Sequence, residues 1–107
     1  MTDKIVLLTT VSSPEEADRL ARTLVERRLA ACVSILPQVR SVYRWQGKVE
    51  DSPEILLLIK SRRALFPALE EAVRALHSYE VPELIALPVV EGLAPYLNWI
   101  DQETEAL

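Results

Sequence analysis

Apolar positions along this chain follow two rhythms, one strand-like and one helical. Ile5-Val6-Leu7-Leu8-Thr9-Thr10-Val11 is a continuous apolar and β-branched run. It has strand length, and apolarity on both faces predicts a central strand. Ser13-Pro14-Glu15-Glu16 reads as a capping box. Ser13 would be the N-cap, Pro14 the first helical residue, and Glu16 would reach back to the free N–H groups. Ala17, Leu20, Ala21, Leu24, Val25 and Leu29 then recur at helical spacing, with Asp18, Arg19, Arg22, Glu26 and Arg27 on the opposite face. A second strand is predicted over Ala31–Leu36, broken or bent at Pro37, and residues 39–45 continue as extended chain. Gln46-Gly47 is the turn signal. Lys48 to Lys60 predicts a third strand, with Ile55–Ile59 as its buried half. Pro53 places the preceding part at an edge or bulge.

A second helix is predicted over Ala64 to His77, with Pro67 in its first turn, where its missing N–H does no harm. Leu65, Leu69, Ala72, Val73 and Leu76 form its apolar stripe. After a loop at 78–82, Leu84-Ile85-Ala86-Leu87 predicts another buried strand, which Val89 and Val90 extend as an edge. Leu93, Tyr96, Leu97 and Ile100 mark a short final helix, and the polar tail from Gln102 is expected to fray. The order β-α-β-β-α-β, then α, is the split βαβ or ferredoxin-like arrangement of an α+β fold. It implies an antiparallel four-stranded sheet with both long helices on one face, in a single domain over 1–107. The other sheet face needs cover, and the long strands around Gly47 overhang the sheet with unpaired backbone groups. Both features predict self-association.

The chain has 107 residues, half of them apolar, which supports one ordered core. Its sole cysteine, Cys32, excludes an internal disulfide framework and a Cys-rich zinc site. A net charge of −4 argues against nucleic acid or an anionic membrane as partner. No apolar run approaches the ~18–20 residues of a membrane span. The start Met1-Thr2-Asp3-Lys4 lacks the pattern of a signal peptide, so a cytoplasmic protein is expected. With only two glycines, Gly47 and Gly92, no Walker loop or GxGxxG cradle can be built. The predicted central strands contain no aromatic, which argues against an RNA-binding sheet.

Four segments carry a family resemblance. They are Leu29-Ala30-Ala31-Cys32-Val33-Ser34-Ile35-Leu36-Pro37, Ser41-Val42-Tyr43-Arg44-Trp45-Gln46-Gly47-Lys48-Val49-Glu50, Leu76-His77-Ser78-Tyr79-Glu80-Val81-Pro82-Glu83-Leu84-Ile85-Ala86-Leu87-Pro88 and Tyr96-Leu97-Asn98-Trp99-Ile100. In this order and spacing, with the first strand and its capped helix, the chain resembles the CutA divalent-cation tolerance proteins over nearly its whole length. The resemblance implies a tight homotrimer similar to the PII signalling proteins in architecture, with clefts between subunits. It places Tyr43, Trp45, Gly47 and Val49 at the subunit interface. It gathers Tyr43, Arg44, Trp45, Lys60, Tyr79 and Glu83 near the cleft. It also implies a role in divalent metal tolerance, with copper or another divalent cation weakly bound.

Copper binding in some members of that family is attributed to a first-strand Cys and a His pair. Here those positions fall on Thr9 and on Leu76-His77, leaving His77 and Cys32 as the candidate metal ligands. Copper(II) and zinc sites usually take three or four ligands, so one His and one Cys per chain need help from other chains or from Glu80 or Glu83. The plainer readings are that Cys32 is a small apolar residue in a buried strand and that His77 caps a helix C-terminus. Tyr43 and Trp45, two apart, share a strand face and equally suit interface packing. Lys60 and Arg44 beside aromatics suggest a small-anion pocket, and Lys60 with Glu83 an interface ion pair. His77 with Glu83 would be the acid–base pair of an enzyme, but no nucleophile or oxyanion motif accompanies them, so no catalytic residue is assigned.

Overall fold

The computed structural model describes residues 2–105. In chain order it contains β1 (Lys4–Val11), α1 (Pro14–Glu26), β2 (Cys32–Trp45), β3 (Lys48–Arg62), a 3-10 turn (Arg63–Leu65), α2 (Phe66–Leu76), β4 (Ile85–Pro88) and α3 (Ala94–Glu103). The sheet order is β2-β3-β1-β4, with every neighbouring pair antiparallel. This is the expected ferredoxin-like α+β fold.

Strand alternation sorts the two sheet faces. Ile5, Leu7, Val11, Ile55, Leu57 and Ile59 turn toward α1 and α2 and close one core with Leu20, Leu24, Leu69 and Val73. The pairs Val6–Lys60, Leu8–Leu58 and Thr10–Leu56 turn the other way, joined by Ile85 and Leu87 of β4. That second face is covered by neither α1 nor α2. Only at its end do Lys4 and Arg62 approach Asp101 of α3.

The hairpin overhangs as expected. β1 pairs with β3 only over residues 55–62, so residues 48–54 of β3 have β2 as their sole partner. Pro53 is tolerated in that stretch because its other edge carries no strand. Gln46 and Gly47 have φ of 50° and 82°, the two positive values a type I′ hairpin turn requires. The overhang stretches the chain to 44 × 25 × 23 Å.

Local expectations need correction in five places. β2 is one strand rather than two segments, with a bulge between Leu36 and Val39 that absorbs Pro37. The capping box is half formed: the Glu16 N–H donates to Ser13 Oγ at 3.1 Å, but the Glu16 carboxylate turns across the core to Ser78. The second helix begins as a 3-10 turn and ends at Leu76, leaving His77 as its C-cap. β4 is exposed rather than buried, since it is an edge strand whose Ile85 and Leu87 lie on the uncovered face. The tail does not fray at Gln102: Thr104 is buried, Arg62 donates to Thr104 Oγ1, and the Glu105 N–H donates to the Arg28 carbonyl. The last residues of that tail, 106–107, lie outside the described residues.

Thr9 sits in this core with no exposure, and its Oγ1 has no hydrogen-bond partner. Its position, which the resemblance matched to a metal-binding Cys, therefore faces α1 and α2 rather than solvent. A buried orphan hydroxyl destabilises, and valine has nearly the same shape. Thr9→Val is expected to raise the free energy of unfolding by about 1 kcal/mol. Equal or lower stability in urea unfolding would mean that the hydroxyl is satisfied in solution.

Candidate functional site

The bulge in β2 sets the chemistry of the hairpin. Counting by twos from Cys32 would send Tyr43 and Trp45 to the opposite face. The extra residue at the bulge reverses that parity, so Tyr43 pairs with Glu50 and Trp45 with Lys48 on the same side as Lys60 and Leu56. Ser41 and Glu54 lie on this side too. At the base of the overhang these residues meet the segment after α2 and enclose an open cleft of about 610 Å³. Tyr43 and Trp45 form one wall and Tyr79, Glu80, Val81 and Glu83 the other, with Thr10 and Glu54 also lining it.

Tyr79 is held at both ends. Its Oη donates to Glu54 Oε2 at 2.8 Å, and its N–H donates to His77 Nδ1 at 3.0 Å. The two rings lie 4.7 Å apart. Burial, then the hydrogen bond to Glu54 and the negative charge around it, push the Tyr79 phenol up to about 12. The phenol therefore stays protonated as a donor at neutral pH. Tyr43 Oη lies 3.2 Å from Ser52 Oγ across the hairpin.

Behind this wall is a buried polar knot. The His77 side chain is fully enclosed. With Nδ1 accepting from Tyr79, the ring carries its proton on Nε2, which donates to the Thr10 carbonyl at 2.7 Å. Glu16, only 4% exposed, accepts from the Ser78 N–H at 2.8 Å and from Ser78 Oγ at 3.0 Å. Its Oε2 lies 3.5 Å from His77 Nδ1. Burial pushes the Glu16 carboxyl up, but the hydrogen bonds from Ser78 outweigh it and hold the group below the usual glutamate range. β1, α1 and the α2 C-terminus are thus tied together directly beneath the cleft.

The cleft brings together Tyr43, Trp45, Tyr79 and Glu83 of the expected set, but not Arg44 or Lys60. Arg44 pairs with Val49 on the other hairpin face, its guanidinium 3.5 Å from the Gly47 carbonyl. Its neighbours Tyr43 and Trp45 take the opposite face of the strand; Val42, on Arg44's face, lies closer to the base of the overhang and does line the cleft. Lys60 donates to Ser34 Oγ at 2.5 Å and lies 3.5 Å from Cys32 Sγ; among the described residues it forms no ion pair with Glu83. Cys32 is half-buried on the face away from α1 and α2, so it is not the core residue of the plainer reading. Gly47 and Val49 occupy the exposed tip.

His77 and Cys32 do not converge within one chain. Cys32 pairs with Lys60, whereas His77 binds the carbonyl of Thr10, which pairs with Leu56. Four residues along β3 separate these points by about 13 Å. No group of three His, Cys, Asp or Glu side chains able to hold a metal ion occurs among the described residues. Both His77 nitrogens are engaged, and His77 does not line the cleft beside Glu83. A single chain therefore does not fit a closed copper or zinc site. Sequence reasoning missed Glu54, Thr10, Ser41, Glu16 and Ser78. Glu54 becomes visible only once the hairpin register is known, and Glu16 looks like a local cap.

A model of the CutA1 divalent ion tolerance protein family matches residues 5–103. Protein CutA of Mus musculus is 52% identical over 99 residues, spanning 91% of this chain and 56% of its own length. The chloroplastic protein CutA of Arabidopsis thaliana is 47% identical over 100 residues, spanning 94% of this chain and 55% of its own. The chain thus spans little more than half the length of these relatives. The solved structure of the divalent cation tolerance protein Cut A1 from Thermus thermophilus shares 51% identity and superposes with a TM-score of 0.93, covering 95% of this chain and 99% of that one. No helix among the described residues is long and apolar enough to cross a membrane. With the family model matching residues 5–103, half of the positions identical to curated relatives over 99 residues and the fold superposing on a solved member, the chain belongs to the CutA1 divalent ion tolerance family.

Proposed function

We propose that the chain works as a homotrimeric binding module in divalent metal ion tolerance, copper included, and that its ligand is held in the cleft where neighbouring protomers meet. The observation that carries this reading is the cleft itself: an open concavity of about 610 Å³ lined by aromatics and carboxylates, beside an apolar sheet face that neither α1 nor α2 covers. A divalent cation there would meet the carboxylate oxygens of Glu54, Glu80 and Glu83, and a second protomer would complete its ligand set. Oxygen donors suit hard cations, so copper would bind weakly. The alternative is a small-molecule sensor of the PII kind that works without direct metal contact.

The test is a calorimetric copper(II) titration of the reduced protein beside His77→Ala and Glu83→Gln. Glu83→Gln is expected to weaken binding by about tenfold, the scale of one lost charge-assisted contact. His77→Ala should lower thermal stability and leave copper affinity nearly unchanged. Loss of binding in His77→Ala alone would return the imidazole to the ligand set and reject the cleft assignment.

A further inference from the structure

We infer that His77 is a proton-operated latch on the cleft wall: the neutral ring holds the Tyr79 backbone in place, and the imidazolium releases it and turns to Glu16. The inference adds regulation to the site and rests, for what it regulates, on reading the cleft as the ligand site. The latch itself stands on contacts buried inside one protomer, which assembly can only enclose further.

The segment after α2 is the part that moves. Among the described residues, 78–83 form no helix or strand and make no backbone–backbone hydrogen bond. Every hydrogen bond that holds them runs to the side chain of Glu16, His77 or Glu54. Tyr79 hangs from two of these. Its phenol reaches Glu54, and its N–H donates to His77 Nδ1 at 3.0 Å. A helix-capping histidine would turn its ring to the last carbonyls of its own helix. This ring instead bridges Thr10 of β1 and Tyr79.

Protonation reverses one of those contacts. Neutral imidazole accepts at one nitrogen and donates at the other, whereas imidazolium donates at both. The Nε2–H keeps the Thr10 carbonyl. Nδ1 gains a proton and meets the Tyr79 N–H donor to donor. Glu16 Oε2, 3.5 Å from Nδ1, is the acceptor within reach and the ring's one ion-pair partner among the described residues. From the other elements the ring is faced by the Thr10 carbonyl of β1 and, behind the neutral Tyr79 phenol, by Glu54 of β3. The Glu16 oxygens accept from Ser78 and have lone pairs left for a further donor. Those Ser78 bonds hold the Glu16 carboxyl below the usual range, so it is charged when the ring takes up its proton. Histidine is the side chain that ordinarily changes charge between pH 5 and 8, and His77 is the only one in the chain. The released form takes up the proton more readily than the latched form, so falling pH favours release. A wall that opens changes how fast a ligand enters, not which donors the cleft offers.

The test uses the full-length, 15N-labelled protein without ligand, taken from pH 8 to pH 5. It follows the imidazole nitrogen shifts of His77 and the solvent exchange of the Tyr79 amide, corrected for its intrinsic pH dependence. At pH 8 the ring should be the Nε2–H tautomer and the Tyr79 amide protected. As Nδ1 takes its proton, protection at Tyr79 should fall by about tenfold or more, the scale of one lost hydrogen bond. The Leu7 amide in the central strand β1 should keep its protection. His77→Asn keeps an acceptor oxygen near the Tyr79 N–H and cannot take up a proton, so its Tyr79 protection should not vary with pH. A melting curve checks that this variant is folded, and the measurement on the native protein decides without it. An Nδ1–H tautomer at pH 8, a ring still neutral at pH 5, or Tyr79 protection unchanged as the ring charges would each overturn the latch. So would a folded His77→Asn protein that loses Tyr79 protection at the same pH as the native one. No ligand enters this experiment, so failure of the copper titration would reject the cleft as the ligand site and leave the latch standing.

Discussion

Glu16→Ala is expected to destabilise the fold by about 3 kcal/mol, the scale for breaking a buried charge-assisted network. The variant leaves the Ser78 N–H and hydroxyl without their acceptor and removes the carboxylate beside His77. Glu16→Gln keeps the shape and one acceptor oxygen, so its loss should be about 1–2 kcal/mol. Acidification gives a sharper signature. The folded-state value of Glu16 lies below the ordinary 4.5. A depressed carboxylate contributes stability that is fully present above the unfolded value and is lost as pH falls through the folded one. The stability gap between native protein and Glu16→Gln should therefore be constant near neutrality and close below pH 4.5. Urea unfolding at a series of pH values measures it. A gap that persists unchanged to low pH would mean that the carboxylate charge contributes nothing.

The same knot shows why part of the site was hidden in the sequence. Ser13 followed by Glu16 satisfies the capping pattern, and local chemistry stops there. Only the packing of α1 against the α2 C-terminus reveals that Ser78, 62 residues away, offers two donors to that carboxylate. His77 was legible as a helix-end residue but not as a buried hinge between Thr10 and Tyr79, because both partners are distant in fold or backbone in nature.

The hairpin teaches a related point. Its existence was legible from Gln46-Gly47 between long apolar strands, since a tight turn with two positive φ angles has few other solutions. Its facing was not. Pro37 signals an irregularity, yet whether the chain bends, stops or bulges depends on the pairing with β3. That single inserted residue decides that Trp45 rather than Arg44 borders the cleft. The exposure of β4 was hidden for another reason. An apolar strand reads as buried, but burial depends on what covers it, and among the described residues Ile85 and Leu87 stay about half exposed.

Leu58→Glu is expected to abolish the proposed trimer. Leu58 sits near the middle of the sheet face turned away from α1 and α2, between Ser34 of β2 and Leu8 of β1. Leu8, Leu36, Leu56, Ile85 and Leu87 surround it with apolar surface on the same face. In a lone protomer the site is only partly buried, so a carboxylate would remain hydrated and do little harm. Between protomers it would be a charge buried without a partner, a penalty of several kcal/mol at each copy. The native protein should scatter light as three times 12.1 kDa at micromolar concentration, and Leu58→Glu as the single 12.1 kDa chain or as unfolded protein. Leu58→Ala separates those cases. It keeps the face apolar and the protomer folded, and should raise the dissociation midpoint in dilution without changing the mass at high concentration. A native mass of 12.1 kDa would refute the trimer, and a Leu58→Glu variant that still assembles would place the partner surface elsewhere, with the hairpin overhang as the remaining structural argument for assembly.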